Sequence, residues 1–277
     1  MTVTKLGALV AGAVLVFGAC SNSGSSAAPT TAPTTAASSG ASAAPSTGSK
    51  GTIKVGVDLP LSGGEVANGG PTFNGIQLAV DEANAAGGVA GYKVEINKQD
   101  DAVNGAHDPK QGASNAQTLV ADEAVIGMVG PFNSNVARAI IPVTNEAGLT
   151  ECSPSNTAVD LTKDGSDKLR PKNPDKRNYI RVATPDDIQG PAGAQFAYND
   201  LGKKTAWVVD DTEAFGVGVA NSFSDEFKKL GGTIAKRDGN DFKKNTDFTA
   251  LINAVKASNP DVVYFGGTQV TGGGQIK

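Results

Sequence analysis

The sequence predicts an α/β protein of two lobes, each a parallel sheet flanked by helices. Two kinds of segment alternate along the chain. The first kind is apolar, or alternates between apolar and polar residues, as strands do. The second kind has helical periodicity. Glycine or polar residues separate most of these segments. Alternating strands and helices are typical of parallel sheets that are covered on both faces.

The first series of segments builds the first lobe. Its predicted strands are residues 52–59, 92–100, 124–130, 149–153 and 178–183, and its predicted helices are residues 72–86, 109–122 and 134–148. The helices carry end signals: Gly87 follows the first, Pro109 opens the second, and Ser134 is the expected N-cap of the third, with Gly148 past its end.

The second series builds the second lobe. Its predicted strands are residues 204–211, 232–238 and 260–267, and its predicted helices are residues 189–202, 216–232 and 247–259. The chain stops at "TGGGQIK", where another helix is expected to begin. We therefore expect an incomplete second lobe, in a fragment or an early-terminated product.

Four segments are predicted along the chain. They are a lipoprotein signal peptide, a disordered linker, an N-terminal α/β lobe and a second α/β lobe, at residues 1–20, 21–50, 51–185 and 186–277. The linker is rich in Ser, Thr, Ala and Pro and has almost no charged or large apolar side chain, so it cannot bury enough surface to offset its ordering entropy.

The N-terminus has the pattern of an export signal. Lys5 precedes an apolar run that is too short to span a bilayer permanently. Gly18 and Ala19 lie directly before Cys20 and resemble a lipobox, in which Cys20 is lipidated and becomes the mature N-terminus. An ordinary signal peptide with an incidental cysteine is the alternative. We expect a protein anchored to the outer face of the cell membrane by lipid only.

Composition and spacing exclude several classes of function. The net charge of −4 and the lack of a basic cluster argue against nucleic acid. The glycines that follow the first strand lack both nucleotide-binding spacings. His107 is the only histidine, and no catalytic triad has support, so we expect neither an enzyme nor a cofactor. Cys152 is the only cysteine beyond Cys20, so we expect it to be a buried packing residue without an internal disulfide.

The acidic pairs at two strand ends do not predict a metal site. Asp100–Asp101 and Asp210–Asp211 lack the alternating spacing of a calcium loop, and we expect them to cap helices and to accept loop hydrogen bonds.

Ligands of open parallel sheets bind beyond the carboxyl ends of the strands. The corresponding loops are residues 59–70, 100–108, 130–135, 153–157, 210–216 and 266–269. In "MVGPFNSNVAR" a strand ends and a helix begins at Ser134, which places a hydroxyl beside bare backbone N–H groups. That arrangement suits a carboxylate, although a simple N-cap is an equally good interpretation from spacing alone.

With these loops in place, the sequence resembles the type I periplasmic binding proteins of the branched-chain amino acid transport family. The resemblance runs from Ile53 to the end of the chain, and its lobe pair is also found in receptor ligand-binding domains. The segments that carry it are "IKVGVDLPLSG", "FNGIQLAVDEANAAGGVAGYKVEI", "DDAVNGAHDPKQG", "VIGMVGPFNS", "SPSNTAVDLT", "RVATPDDIQGP", "VVDDTEAFGVGVA" and "PDVVYFGG".

The resemblance implies roles for individual residues. Ser134, with Asn135 and the amides at the helix start, would bind the α-carboxylate of a ligand. Ser155 and Thr157 lie in the "SPSNT" loop, which would bind carboxylate and ammonium. Asp186 matches an acidic residue that some members use for the ammonium, and Phe215 matches an aromatic residue that packs on the ligand from the second lobe.

The sequence also departs from the leucine-binding members. Those members carry an aromatic residue where this chain has Asn68 and another where it has Thr268, and they carry a disulfide that is missing here. The acidic residue that grips the ammonium from the second lobe would lie beyond Lys277. An amino-acid-like ligand is therefore a better expectation than leucine, isoleucine or valine.

The resemblance implies a solute-binding lipoprotein that captures an amino acid or amide between its lobes and delivers it to the permease of an ABC importer. A receptor module whose lobe closure reports to a signalling partner is the alternative.

Overall fold

The computed structural model describes residues 50–241 and 244–276. The predicted signal peptide, Cys20 and residues 21–49 of the predicted linker lie outside the described residues.

Ten strands and seven α-helices are found in the described residues. The strands are β1 (Thr52–Leu59), β2 (Lys93–Asp100), β3 (Ala102–Val103), β4 (Ala106–His107), β5 (Val125–Val129), β6 (Glu151–Ser153), β7 (Tyr179–Arg181), β8 (Thr205–Asp210), β9 (Thr233–Gly239) and β10 (Val262–Gly266). The helices are α1 (Val66–Ala85), α2 (Pro109–Ala121), α3 (Ser134–Ala147), α4 (Asp186–Gln195), α5 (Ala214–Lys229), α6 (Thr249–Ser258) and α7 (Gly274–Ile276).

Short helical turns lie between these elements. They are the 3₁₀ turns Gly63–Glu65, Val159–Leu161 and Ser166–Leu169, and the π-type turns Phe196–Asp200 and Gln269–Gly273.

The strands form two parallel sheets and one small hairpin. The first sheet has the order β2-β1-β5-β6-β7, and the second has the order β10-β8-β9. All neighbouring strands within each of these sheets run parallel, whereas β3 and β4 pair antiparallel. The predicted α/β class with parallel sheets is confirmed.

Helices cover both faces of the first sheet. A Cβ added at Gly56 of β1 would lie 3.0 Å from the side chain of Leu119 in α2. The preceding residue, Val55, faces an apolar gap whose other wall is α1, with Ala79 and Val80. Successive strand residues point to opposite faces, so α1 lies on one face of the sheet and α2 on the other.

The second sheet is covered in the same way. Ala206 and Val208 of β8 pack on the buried phenylalanines of α5, Phe223 and Phe227. Trp207 and Val209, which point to the other face, pack with residues of α6. Successive side chains of the central strand therefore point to opposite faces of the sheet, and each set packs against the helices on its own face.

The predicted start of the first helix was wrong. The first helix begins at Val66 and not at residue 72, although Pro71 lies inside it. The segment "EVANGGP" hides this start, because glycine and proline usually mark a loop. Gly69 is needed for a close approach here, since a Cβ at this position would lie 2.0 Å from the carbonyl oxygen of Pro60. Asn68 is consequently a residue of α1 and not of a loop.

The loop of residues 100–108 contains an unpredicted hairpin. Asn104 and Gly105 join β3 to β4, with φ values of 53° and 88°. An Asn-Gly pair with two positive φ values is typical of a two-residue hairpin turn, so the signal was present in the sequence. This hairpin positions His107.

Candidate functional site

A cavity of about 260 Å³ lies where the loops of both sheets meet. The first sheet contributes Phe132, Asn133, Ser134, Asn135, Ser155 and Thr157, and the second contributes Gln189, Asp211, Glu213, Phe215 and Thr268. Six of the eight residues that the resemblance implies as ligand-binding line it: Ser134, Asn135, Ser155, Thr157, Phe215 and Thr268. The cavity lies beyond the carboxyl ends of the strands, as parallel sheets favour.

Ser134 is the first residue of α3, and its predicted N-cap role was wrong. Asn133 occupies the N-cap position, and no side-chain capping bond is made there. The buried hydroxyl oxygen of Ser134 instead accepts hydrogen bonds from the backbone N–H groups of Thr157 at 3.2 Å and Ala158 at 3.3 Å. A hydroxyl can accept two hydrogen bonds and donate one, and both acceptor positions of Ser134 are used here. The hydroxyl proton of Ser134 is therefore available for donation. The helix end thus presents a donor together with the positive end of its dipole.

The loop of residues 153–157 is fixed to the end of β5. Ser155 donates its hydroxyl to the carbonyl oxygen of Phe132 at 2.5 Å, and Asn156 donates to the same oxygen at 2.8 Å. Ser153 donates to the carbonyl oxygen of Pro131 at 2.8 Å. These bonds hold the first wall of the cavity in one geometry.

The wall from the second sheet is acidic. Asp211 accepts hydrogen bonds from the backbone N–H of Glu213 at 2.9 Å and from the hydroxyl of Thr271 at 2.7 Å. Burial raises the pKa of Asp211, and the bond from Thr271 opposes that rise. Asp211 thus makes the loop bonds predicted for its acidic pair, but it also lines the cavity, as does Glu213.

Sequence reasoning missed Asp211 and Glu213 as cavity residues. Residues 210–216 were recognised only as a strand-end loop, and the acidic residue that the resemblance implies beyond Lys277 stays a separate prediction. Two carboxyls in a loop directly after a strand, at the end of the sheet where ligands bind, were the available signal.

Thr268 is held in the second wall of the cavity by hydrogen bonds with Thr271. Its backbone N–H donates to the hydroxyl of Thr271 at 2.7 Å, and the two hydroxyls lie 3.2 Å apart. Since Thr271 also donates to Asp211, these bonds tie the end of β10 to the loop that follows β8.

Asp186 and Asn68 do not line the cavity. Asp186 is fully buried at the start of α4, where its backbone N–H donates to the carbonyl oxygen of Thr157 at 2.9 Å. Its Oδ1 accepts from Gln189 at 2.6 Å, and a Cβ at Gly218 would lie 2.7 Å from its Oδ2. Burial raises its pKa, against the bond from Gln189. Asp186 therefore joins the two sheets next to the cavity.

A second acidic group lies deeper in the first sheet. Burial and the hydrogen bond from Asn115 act in opposite directions on Asp58, and its pKa rises to about 7. Asp101 is fully buried, and burial with the charge of Asp58 raises its pKa to about 8. Cys152 was expected to be buried, but it is partly exposed.

The described residues contain neither a metal-binding cluster nor a membrane-spanning helix. Among residues 50–241 and 244–276, no group of three or more His, Cys, Asp or Glu side chains could hold a metal ion. Within the same ranges no helix combines the length and the apolar character that a membrane span needs.

Known proteins resemble this chain in sequence and in fold. The sequence profile described as "Periplasmic binding protein" matches residues 52–274. The chain belongs to the periplasmic binding protein family. The name of this family places its members outside the cytoplasm.

Curated relatives of this chain are named as binding proteins. It is 36% identical over 221 residues to the Leu/Ile/Val-binding protein BraC3 of Rhizobium johnstonii, which covers 80% of this chain and 56% of the relative. It is 33% identical to a Leu/Ile/Val-binding protein homolog of Brucella melitensis, with the same coverage of 80% and 56%. The chain spans about half the length of these relatives.

A solved structure agrees with the fold. The leucine-binding protein LivK of Thermotoga maritima has a TM-score of 0.65 and 29% identity, over 76% of this chain and 55% of that chain.

Proposed function

We propose that this chain is the ligand-binding part of a solute-binding protein that captures an amino acid or amino-acid-like ligand between two lobes, residues 51–185 and 186–277. The observation that supports this best is that hydrogen-bond donors and carboxyl groups line different walls of the cavity. One wall carries the start of α3 with the Ser134 hydroxyl, and the opposite wall carries the carboxyls of Asp211 and Glu213. A small zwitterion carries a carboxylate and an ammonium, which suit the first and the second wall respectively.

The ligand carboxylate would accept from the Ser134 hydroxyl and from the N–H groups of the first turn of α3, including that of Asn135. Its ammonium would face Asp211, with the oxygens of Ser155 and Thr157 at its side. Phe215 and Thr268 would cover it from the second wall. Asp186 is proposed as a support of this geometry through Thr157, and Asn68 remains only a proposed neighbour of the ligand.

Delivery to an ABC importer and anchoring at Cys20 are parts of the same proposal. The permease would recognise the form in which both walls hold the ligand. Metabolic labelling with a fatty acid tests the anchor: the wild-type chain should be tagged and the Cys20→Ala variant should not. Labelling of both, or of neither, would contradict lipidation at Cys20.

A thermal-shift screen tests the ligand class. The panel contains L-leucine, L-isoleucine, L-valine, other amino acids, amides and short organic acids. A ligand present at about 100 times its dissociation constant stabilises the folded chain by about 2.7 kcal/mol, which is easily detected. Shifts with amino acids and none with the matching N-acetylated compounds would support an ammonium site. Equal shifts with both sets would contradict the proposal that Asp211 binds the ligand ammonium.

A further inference from the structure

His107 lies between carboxyl groups that belong to different sheets. Its Nδ1 contacts Oε1 of Glu65, and its Nε2 lies 2.6 Å from Oε2 of Glu213. The side chains of His107 and Glu65 are completely buried, and that of Glu213 is 17% exposed. Glu65 and Glu213 are 148 positions apart in the sequence. Neither Glu65 nor the link through His107 has a part in the proposed ligand contacts.

Glu65 and His107 are held in the body of the first sheet. Glu65 ends the turn that follows β1, and His107 ends the hairpin that follows β2. The backbone N–H of Gly64 donates to the carbonyl oxygen of Gly105 at 2.9 Å, which ties the turn to the hairpin. These two side chains therefore move together.

Glu213 is held in the body of the second sheet. Its backbone N–H donates to Asp211 at 2.9 Å, and its carbonyl oxygen accepts from Val217 of α5 at 2.9 Å. Any separation of the two sheet bodies thus carries Glu213 away from His107, while Glu65 stays.

The two contacts determine the charge of the imidazole. A neutral imidazole has one N–H and can donate to only one carboxylate. Here both ring nitrogens lie at hydrogen-bond distance from carboxyl oxygens, and an imidazolium, with its two N–H groups, satisfies both contacts. Burial lowers the pKa of His107, but the hydrogen bonds from its ring to Glu213 and Glu65, and their charges, raise it to about 9.

The other titratable groups around the ring are acidic. Asp101 lies close enough for the charge of His107 to lower its pKa against the effect of burial, and Asp58 and Asp100 lie behind it. Asp108, the next residue in the chain, uses its carboxyl to cap α2. Asp211 lies beside Glu213 on the second sheet.

We propose that His107 is a positioning residue. Its imidazolium joins the two sheets through Glu65 and Glu213 and sets Glu213 at the cavity wall. Only while it is protonated does it favour the closed arrangement, in which this link holds the two sheets together. The part that concerns ligand affinity rests on the proposed function. The link between the sheets does not.

The direction of the pH effect follows from linkage. In the closed arrangement two carboxyls raise the pKa of His107, whereas after opening only Glu65 remains. Closing therefore takes up a proton at pH values between the two pKa values of His107. The stabilisation of the closed form is fully present below the lower pKa and is lost as pH rises through about 9. Each unit between the two values changes the closing equilibrium about tenfold.

The first test measures His107 directly. Because His107 is the only histidine, the imidazole NMR signal of an untagged chain labelled with ¹³C-histidine reports this residue alone. We expect titration above pH 8 in the wild type and at least one pH unit lower in Glu213→Gln. The matched control is Glu146→Gln, an exposed site on α3, which should match the wild type. Titration near 6.5, or no difference in Glu213→Gln, would overturn the link.

The second test measures affinity, with L-isoleucine as the probe. The ratio of dissociation constants, His107→Gln over wild type, should be about ten or more at pH 7 and near one at pH 10.5. The ratio cancels the titration of the ligand ammonium, which both proteins share. A ratio that stays constant with pH would overturn the positioning role. If L-isoleucine binds neither protein, the ligand proposal is at fault, and the NMR titration still decides the link.

A third measurement needs no ligand. The radius of gyration from small-angle X-ray scattering should increase between pH 7 and pH 10.5 in the wild type. In folded Glu213→Gln, it should be at the larger value at both pH values. Equal values for both proteins at pH 7 would contradict a link that holds the two sheets together.

Discussion

The hydroxyl oxygen of Ser134 accepts a hydrogen bond from the backbone N–H of Thr157 at 3.2 Å. This bond connects the start of α3 to the loop that follows β6, and it directs the remaining hydroxyl proton elsewhere. The first residue of the helix is thereby both a support of the cavity wall and a donor toward its contents.

Ser134→Ala should weaken binding of the ligand found in the thermal-shift screen by about tenfold or more. A hydrogen bond to a charged group contributes about 1.5–3 kcal/mol, which corresponds to that factor. The fold should survive with a moderate loss of stability, since two backbone N–H groups lose their acceptor. Isothermal titration calorimetry measures the affinity, and the exposed Ser114→Ala on α2 is the control. An unchanged affinity in Ser134→Ala would disprove the carboxylate assignment.

Phe215→Ala should also weaken binding, by about tenfold, because the ligand loses an apolar contact from the second wall. Phe196→Ala is the matched control, since Phe196 is exposed and outside the cavity. Calorimetry with the same ligand should give a control affinity equal to that of the wild type. Equal losses in both variants would show that the effect is not local to the cavity.

Glu151→Gln should change how stability depends on pH. Glu151 is completely buried, and burial raises its pKa to about 8, against the bond from Thr144. The folded state therefore holds a proton that the unfolded state releases near 4.5, and stability falls as pH rises through this window. Glutamine cannot ionise, so the variant should gain melting temperature relative to the wild type at pH 8.5.

The comparison for Glu151→Gln is made by thermal unfolding at pH 5 and pH 8.5. The difference between variant and wild type should be larger at pH 8.5. Glu95→Gln, which removes an exposed ion pair with Lys93, should show no such change. A difference that is the same at both pH values would mean that Glu151 does not titrate in this window.

Two glycine-to-alanine substitutions should have opposite effects on stability. At Gly216, in the first turn of α5, a Cβ would lie 2.1 Å from Oδ1 of Asp211 and 2.4 Å from the carbonyl oxygen of Gly266. Gly216→Ala should thus destabilise the fold and displace Asp211. At Gly75 of α1 nothing lies within 4 Å, so Gly75→Ala should stabilise by about 0.5–1 kcal/mol.

Denaturant unfolding of both glycine variants measures these effects. Equal stabilities would contradict the close packing of α5 against the end of β10.

Much of the fold could be predicted from local pattern. β1 and β8 are rich in apolar residues, as strands with two covered faces are. Gly148 ends α3 with a φ of 75°, as its position predicted. The start of α1 could not be found in this way, because tertiary contact at Gly69 outweighs the low helix propensity of the Gly-Gly-Pro segment.

The candidate site was only partly predictable. Order along the chain and strand ends identified the loops, and six residues implied by the resemblance line one cavity. Asp186 was placed with them by motif alone, yet it is fully buried, its carboxyl lies between Gln189 and Gly218, and it does not line the cavity. Motif matching identifies a position, but it does not say which way the side chain points.

By itself, the sequence determined the class of the fold, the strand-end loops and the family, because these depend on periodicity and on the order of short motifs. Only the tertiary structure decided that Asp211 and Glu213 form the acidic wall and that His107 lies between Glu65 and Glu213. Such contacts join residues far apart in the chain. They depend on how two sheets pack, and no local pattern encodes that packing.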